Sequence, residues 1–238
     1  MEGWINMGRR VRHFSTREVG AYLLLDCRVL TGSFNSQIPE WPDLSGYNRN
    51  TVQTNSLYTP IVEIEKGLKF ANFNNQNKYM IFSGSITDQP YMFFVYGFGN
   101  DLGLTSNGYY YDGYDSINRS YFRWFFIPNN DYFGMSAGSE MSKIIGGLFS
   151  AQGYRLMTGK FESSGSGSLY MNSLLWLTGS VGTNALESGI TIGNSYLHTQ
   201  GIYGNIGYLS ITPVLEDSLR KRVDQSISFI MRHTTYGK

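Results

Sequence analysis

The residues best equipped to touch a ligand fall in one stretch, Asn100 to Trp124, which contains Tyr109, Tyr110, Tyr111, Asp112, Tyr114, Asp115, Asn118, Tyr121 and Trp124. Tyrosine brings a flat apolar face and a hydroxyl at small entropic cost, Asp and Asn exchange hydrogen bonds with sugar hydroxyls, and Gly113 lets the backbone approach a ligand. That is carbohydrate-binding chemistry, and it predicts a long aromatic loop. The same aromatics would also suit a sheet edge or a subunit interface, where Tyr, Trp and Phe are enriched, so both readings stay open. Asp112, Asp115 and Asn118 could also ligate calcium, although their spacing matches no EF-hand loop, and no other cofactor is expected.

Catalytic patterns are poorly supported. His13, His198 and His233 are far apart and begin no metal-binding or triad pattern. Glu63 and Glu65 are a close carboxylate pair at strand spacing, as a retaining glycosidase would need, but Lys66 and Lys69 beside them read as a solvated strand face. Gly97-Phe98-Gly99 is followed by Asn-Asp and no helix, so it is no phosphate loop. The expectation is a protein that is not an enzyme. Cys27 is the single cysteine, which excludes an internal disulfide framework and reads as a small buried apolar residue.

The elements that must position these residues read as strands. Of 238 residues only 16% are charged, against roughly 25% in an ordinary soluble domain, whereas 16% are aromatic and 28 are glycine. Such a chain suits many short strands joined by tight turns. Strand candidates run from Ala21 to Leu30, Ile61 to Ile64, Leu68 to Phe70, Lys78 to Ser83, Tyr91 to Phe98 and Tyr121 to Ile127. Gly146 to Phe149, Tyr154 to Phe161, Ser168 to Leu177, Gly189 to Ile192 and Ile206 to Ile211 continue the series, with Asn, Gly and Ser clusters between. This spacing predicts one all-β sandwich or barrel over residues 21–213.

Both ends differ from that body. Residues 1–20 form a basic arm with Arg9, Arg10, Arg12 and Arg17, which reads either as a solvated leader or as a docking segment. The arm and the apolar run up to Leu25 imitate a secretory leader, but Asp26 ends the run and no small-x-small site follows, so the chain is expected to be complete from Met1. Residues 214–238 hold a predicted helix from Glu216 to His233 whose Leu219, Val223, Ile227 and Ile230 lie on one stripe, suited to packing on the sandwich. A net charge of +1 provides no field to recruit nucleic acid, and no apolar run is long enough to span a membrane as a helix.

Three stretches in order resemble the concanavalin A-like, laminin G-like lectin-type family found in secreted adhesins and bacteriophage virion proteins. The first is Leu23-Leu-Leu-Asp-Cys27 with Trp41-Pro-Asp43-Leu-Ser45-Gly46, similar to the family's opening strand and W-x-D-x-S-G-N turn. The second is Gly167 to Asn172 leading to Gly189-Ile-Thr-Ile-Gly193, with Ser173 where the family has Gly. The third is Tyr203-Gly204-Asn-Ile-Gly207-Tyr-Leu-Ser-Ile211 with Leu215-Glu-Asp217 and the terminal helix. The resemblance implies a jelly-roll sandwich of two antiparallel sheets in which Trp41, Asp43, Ser45, Gly46, Gly193, Gly204 and Gly207 are structural. It further implies a non-catalytic module on a virion, on capsid or tail fibre, assembled in the host cytoplasm in many copies or as a homo-oligomer. There the arm would dock to other virion proteins and the aromatic stretch would face surface glycans. A polysaccharide-cleaving enzyme of the same fold and a purely structural oligomer are the alternatives.

Overall fold

A computed structural model describes residues 16–73, 77–87, 89–99, 107–116, 119–127, 130–146 and 154–233. Sixteen strands appear among them. The first eight are β1 (Leu23–Asp26), β2 (Glu40–Trp41), β3 (Thr51–Val52), β4 (Ile61–Glu65), β5 (Leu68–Asn72), β6 (Met80–Ser83), β7 (Tyr91–Gly99) and β8 (Asn107–Gly113). The rest are β9 (Tyr121–Ile127), β10 (Asn130–Ser136), β11 (Glu140–Gly146), β12 (Arg155–Phe161), β13 (Ser166–Met171), β14 (Leu174–Ser180), β15 (Gly189–Ile192) and β16 (Gly204–Thr212). One helix, α1 (Asp217–His233), follows.

The strands form two antiparallel sheets in a concanavalin A-like jelly roll. The first runs β14-β13-β12-β7-β16-β5-β4, with β1 also pairing β16, and the second runs β11-β10-β9-β8-β15-β6-β3-β2. The core between them mixes aliphatic side chains with many aromatic rings. Phe93 of β7 packs against Phe122 of β9 at 4.7 Å between ring centroids, edge-on to Tyr111 at 5.3 Å, and near Phe161 of β12 at 6.1 Å. Strand β7 is a near-continuous apolar run, and β16 is buried along its whole length despite Asn205, Ser210 and Thr212, because both faces of these strands are covered, one by the second sheet and one by α1.

Helix α1 packs on the outer face of the first sheet with Val223, Ile227 and Met231 buried. Ile230, expected in the buried stripe, is only partly buried, and Met231 fills that role. At Gly207 an added Cβ would lie 2.4 Å from the Met231 methyl and 2.8 Å from the Phe70 ring, so only glycine permits the helix to approach β16 this closely. Beneath the helix lies a buried charge network that the apolar stripe did not reveal. Arg220, 2% exposed, donates to Asp224 at 2.6 Å and to Asp217 at 2.7 Å, and its guanidinium sits 3.7 Å from the Tyr170 ring centre. Asp224 also accepts from the Thr158 hydroxyl at 2.6 Å, which ties α1 to β12.

The turn after Trp41 is built around one carboxylate. Asp43 accepts from the backbone of Leu24 and Ser45 at 2.9 Å each, from Arg49 at 3.0 Å, and from the Ser45 hydroxyl at 2.6 Å. These bonds pin the turn to β1, while Gly46 adopts φ 100° and Trp41 is fully buried. Gly204 opens β16 opposite Gly99. In the β13–β14 turn Asn172 and Ser173 both take left-handed φ, 47° and 71°, so Ser173 adopts the conformation for which glycine is usual.

Candidate functional site

Among the described residues, the part of the aromatic stretch predicted as a loop forms β8, a central strand of the second sheet, paired with β9, which the sequence does predict as a strand. A bulge between Tyr109 and Tyr111 breaks the alternation, so that Arg123 opposes Tyr109 and Phe122 opposes Tyr111. Tyr110 and Tyr111 therefore both enter the core, Tyr110 stacking on Phe122 at 5.3 Å. Trp124 is buried there as well. These three rings cannot face a ligand, because desolvation against the opposite sheet is where a mid-sheet aromatic gains most. Tyr114, 41% exposed, and the half-buried Asp115 lie just after β8. Asn118, Arg9, Arg10 and Arg12 lie outside the described residues, and Arg17 is exposed in a 3-10 turn, Thr16–Val19.

The outward members of the stretch build a polar network on the outer face. Arg119 grips Asp112 with Nε at 2.9 Å and Nη2 at 2.8 Å, and its guanidinium lies 4.7 Å from the Tyr121 ring centre, 4.9 Å from Tyr196 and 5.2 Å from Tyr109. Arg123 pairs with Glu140, which also accepts from the Tyr121 hydroxyl at 2.8 Å. Burial lifts the Asp112 carboxyl above the ordinary range, opposed by the Arg119 hydrogen bonds and charge and by the Tyr196 and Gly113 amides. Asp112, considered above as a calcium ligand, is thus occupied by Arg119. Tyr109, 2% exposed, and Tyr121, 8% exposed, have their faces covered by guanidinium groups rather than open to sugar.

The network has a structural product. The second oxygen of Asp112 accepts from the Tyr196 backbone N–H at 3.0 Å, so the network anchors the loop Asn194–Gln200. That loop is further organised by Asn194, fully buried, whose Oδ1 accepts from Ser195 at 2.8 Å and Gln200 at 2.9 Å while its amide donates to the Lys78 carbonyl. Gly193 starts it at φ 79°, where a Cβ would lie 2.1 Å from the Phe73 ring. His198 takes a left-handed φ of 56°.

What the loop presents is a cleft. His198 stacks on Tyr79 at 3.8 Å between ring centres with 13° between planes, and Tyr79 stacks on Tyr58 at 5.7 Å. These rings, with Asn77 and the 62% exposed Leu197, line a recess of about 280 Å³. Burial lowers the His198 pKa from 6.5, keeping the imidazole neutral at pH 7, and lowers that of Lys78, whose ammonium donates to the Thr59 carbonyl at 2.7 Å. Sequence reading missed this site because its residues come from three separate segments. The usable signals were Gly193 and the Asn-Ser pair after it. A second recess of about 300 Å³, walled chiefly by Val29, Leu30, Ile38, Pro39 and Pro42, contains no aromatic ring.

No protein-family model and no curated protein matches the chain. Solved structures do. The binding domain of Paraclostridial Mosquitocidal Protein 1 superposes with a TM-score of 0.60 at 15% identity, covering 90% of this chain and 53% of that one. The botulinum neurotoxin serotype D binding domain gives 0.60 at 12% identity over 90% and 52%. Trypanosoma rangeli sialidase in complex with sialic acid gives 0.63 at 11% identity over 89% and 33%. The likeness is one of fold. The chain spans about half the length of the toxin domains and a third of the sialidase.

Proposed function

We propose that this chain is a non-catalytic carbohydrate-binding module that uses the cleft beside Asn194–Gln200. The observation that carries this reading is the joining of Tyr58, Tyr79, His198 and Asn77 around one recess on a lectin-type sandwich. Tyr79 is stacked by His198 and Tyr58, so a sugar would meet the ring surface the stack leaves uncovered, while phenol, imidazole and amide groups supply both donors and acceptors for its hydroxyls. Among the described residues that line the recess none is Asp or Glu, which speaks against a carboxylate pair that would protonate and attack a glycosidic bond there. The rigid hydrogen bonding of the loop reduces the ordering cost of binding. Two of the three structural neighbours above are binding domains, in keeping with a recognition role, and the third is a sialidase in complex with sialic acid.

The setting we propose is a bacteriophage virion, where the module would decorate the particle in many copies and attach it to surface glycans, docked through the arm that includes Arg17. Retention of purified protein on immobilised glycans tests the binding reading. The full chain should be retained without releasing sugar product, and Tyr58→Ala should lose retention while keeping its thermal midpoint. Product release, or no retention on any glycan, would overturn it.

A further inference from the structure

Resting on that carbohydrate reading, we infer that the cleft takes a single uncharged pyranose and rejects acidic sugars such as sialic and uronic acids. The size argues for one ring. A recess of about 280 Å³ falls just below the ~300–1,000 Å³ usual for ligand pockets, leaving no room to enclose an extended chain.

The charge argument is stronger. Tyr58, Asn77, Tyr79, Leu197 and His198 carry no formal charge, since burial holds the imidazole neutral at pH 7. The nearby cations are committed elsewhere. Lys78 directs its ammonium to the Thr59 carbonyl at 2.7 Å. Across the loop, beside Tyr196, Arg119 is closed by Asp112 and Arg123 by Glu140. Among the described residues no cation lines the cleft, and Lys78, though still charged, turns its ammonium to the Thr59 carbonyl, so a carboxylate entering the cleft would surrender water without a counter-charge in the lining, which is costly wherever burial is appreciable. Sugar hydroxyls meet the opposite situation. Each donates and accepts, as do a tyrosine hydroxyl, a carboxamide and a neutral imidazole with one protonated nitrogen.

The test compares matched oligosaccharides that differ only at the terminal residue, neutral hexose against its uronic acid and against a sialylated form, by titration calorimetry at pH 7.5 with the full chain. The neutral terminus should bind at least about tenfold more tightly than either acid, the penalty of an unpaired charge. Leu197→Arg, at a 62% exposed rim position where folding is little affected, adds a cation and should shrink that ratio at least threefold, about half of the tenfold preference on a logarithmic scale. Equal or tighter binding of the acidic termini by the unmodified chain, or no response to Leu197→Arg, would overturn the inference while leaving carbohydrate binding intact. Failure of every sugar to bind would overturn both.

Discussion

Replacing Arg119 with Ala should damage a cleft that Arg119 does not touch. Its partner Asp112 is 0% exposed, receives two close guanidinium hydrogen bonds, and in turn accepts the Tyr196 backbone N–H at 3.0 Å. Breaking a buried ion pair by removing one partner costs about 3–5 kcal/mol. The lower end applies, because the Arg119 side chain is 27% exposed and because burial already pushes the Asp112 carboxyl toward protonation, which relieves the orphaned charge. About 3 kcal/mol corresponds to a fall of roughly 6–12 °C in the thermal midpoint for a domain of this size. The loss has a local part as well. A neutral Asp112 is a weaker acceptor for Tyr196, so the loop holding His198 against Tyr79 loosens and sugar affinity falls with stability. Circular dichroism melts and calorimetry on the same preparations measure both, and Arg119→Lys should be intermediate, keeping charge but losing the bidentate grip and ring contact. A midpoint within about 2 °C of the parent, or an unchanged sugar affinity despite a lower midpoint, would refute the coupling of network to loop.

Two further outcomes follow from buried titratable groups. Asp224→Ala should cost about 3 kcal/mol in urea denaturation, the lower end for a broken buried pair because Arg220 at 2% exposure keeps only the exposed Asp217 as its carboxylate, while the double change Arg220→Met with Asp224→Leu should recover most of it, since an apolar pair replaces both charges. The His198 imidazole has its folded pKa depressed below 6.5, so the unfolded chain binds more protons in that window; stability is full above pH 6.5 and declines as pH falls toward the depressed pKa. His198→Gln should flatten that part of a stability-versus-pH curve.

Much of the fold was legible because central strands announce themselves. Tyr121–Ile127 and Gly189–Ile192 were bounded correctly from β-branched and aromatic content, and Tyr91–Phe98 fell one residue short of β7. Strand β10 went unread because Asn130-Asp131 and Gly134 look like turn chemistry, whereas its pairing with β9 on one side and β11 on the other overrides that local preference. Ser168 to Leu177 was read as one strand because nothing but Asn172 marks the turn within it. The candidate site misled for a related reason. Tyr-Tyr-Tyr-Asp-Gly has no alternation, so it resembled a loop, but the missing alternation came from a bulge that sends two consecutive rings inward. Nothing in the helix's apolar stripe marks the buried Arg220–Asp224 pair, because charge at helical spacing normally faces solvent.

These misreadings share a physical cause that also locates the function. An aromatic or charged side chain is available to a ligand only if its faces and hydrogen bonds are not already taken by the protein. On the first sheet the outer face is covered by α1, and its cation is enclosed by two carboxylates and a tyrosine ring. On the second sheet, Tyr109 and Tyr121 are under guanidinium groups that carboxylates neutralise. The charged and aromatic groups of both networks are thus already taken, and the proposed recognition role falls to the loops that the strands support. Asn194–Gln200 suits that role because its backbone demands are satisfied by Asn194, Ser195 and Asp112, leaving Leu197 and the edge of the His198 stack at the cleft. The density of tyrosine in β8 and β9 therefore matters to binding through rigidity. It fixes the platform from which a short loop, unremarkable in composition, presents the ring that completes the site.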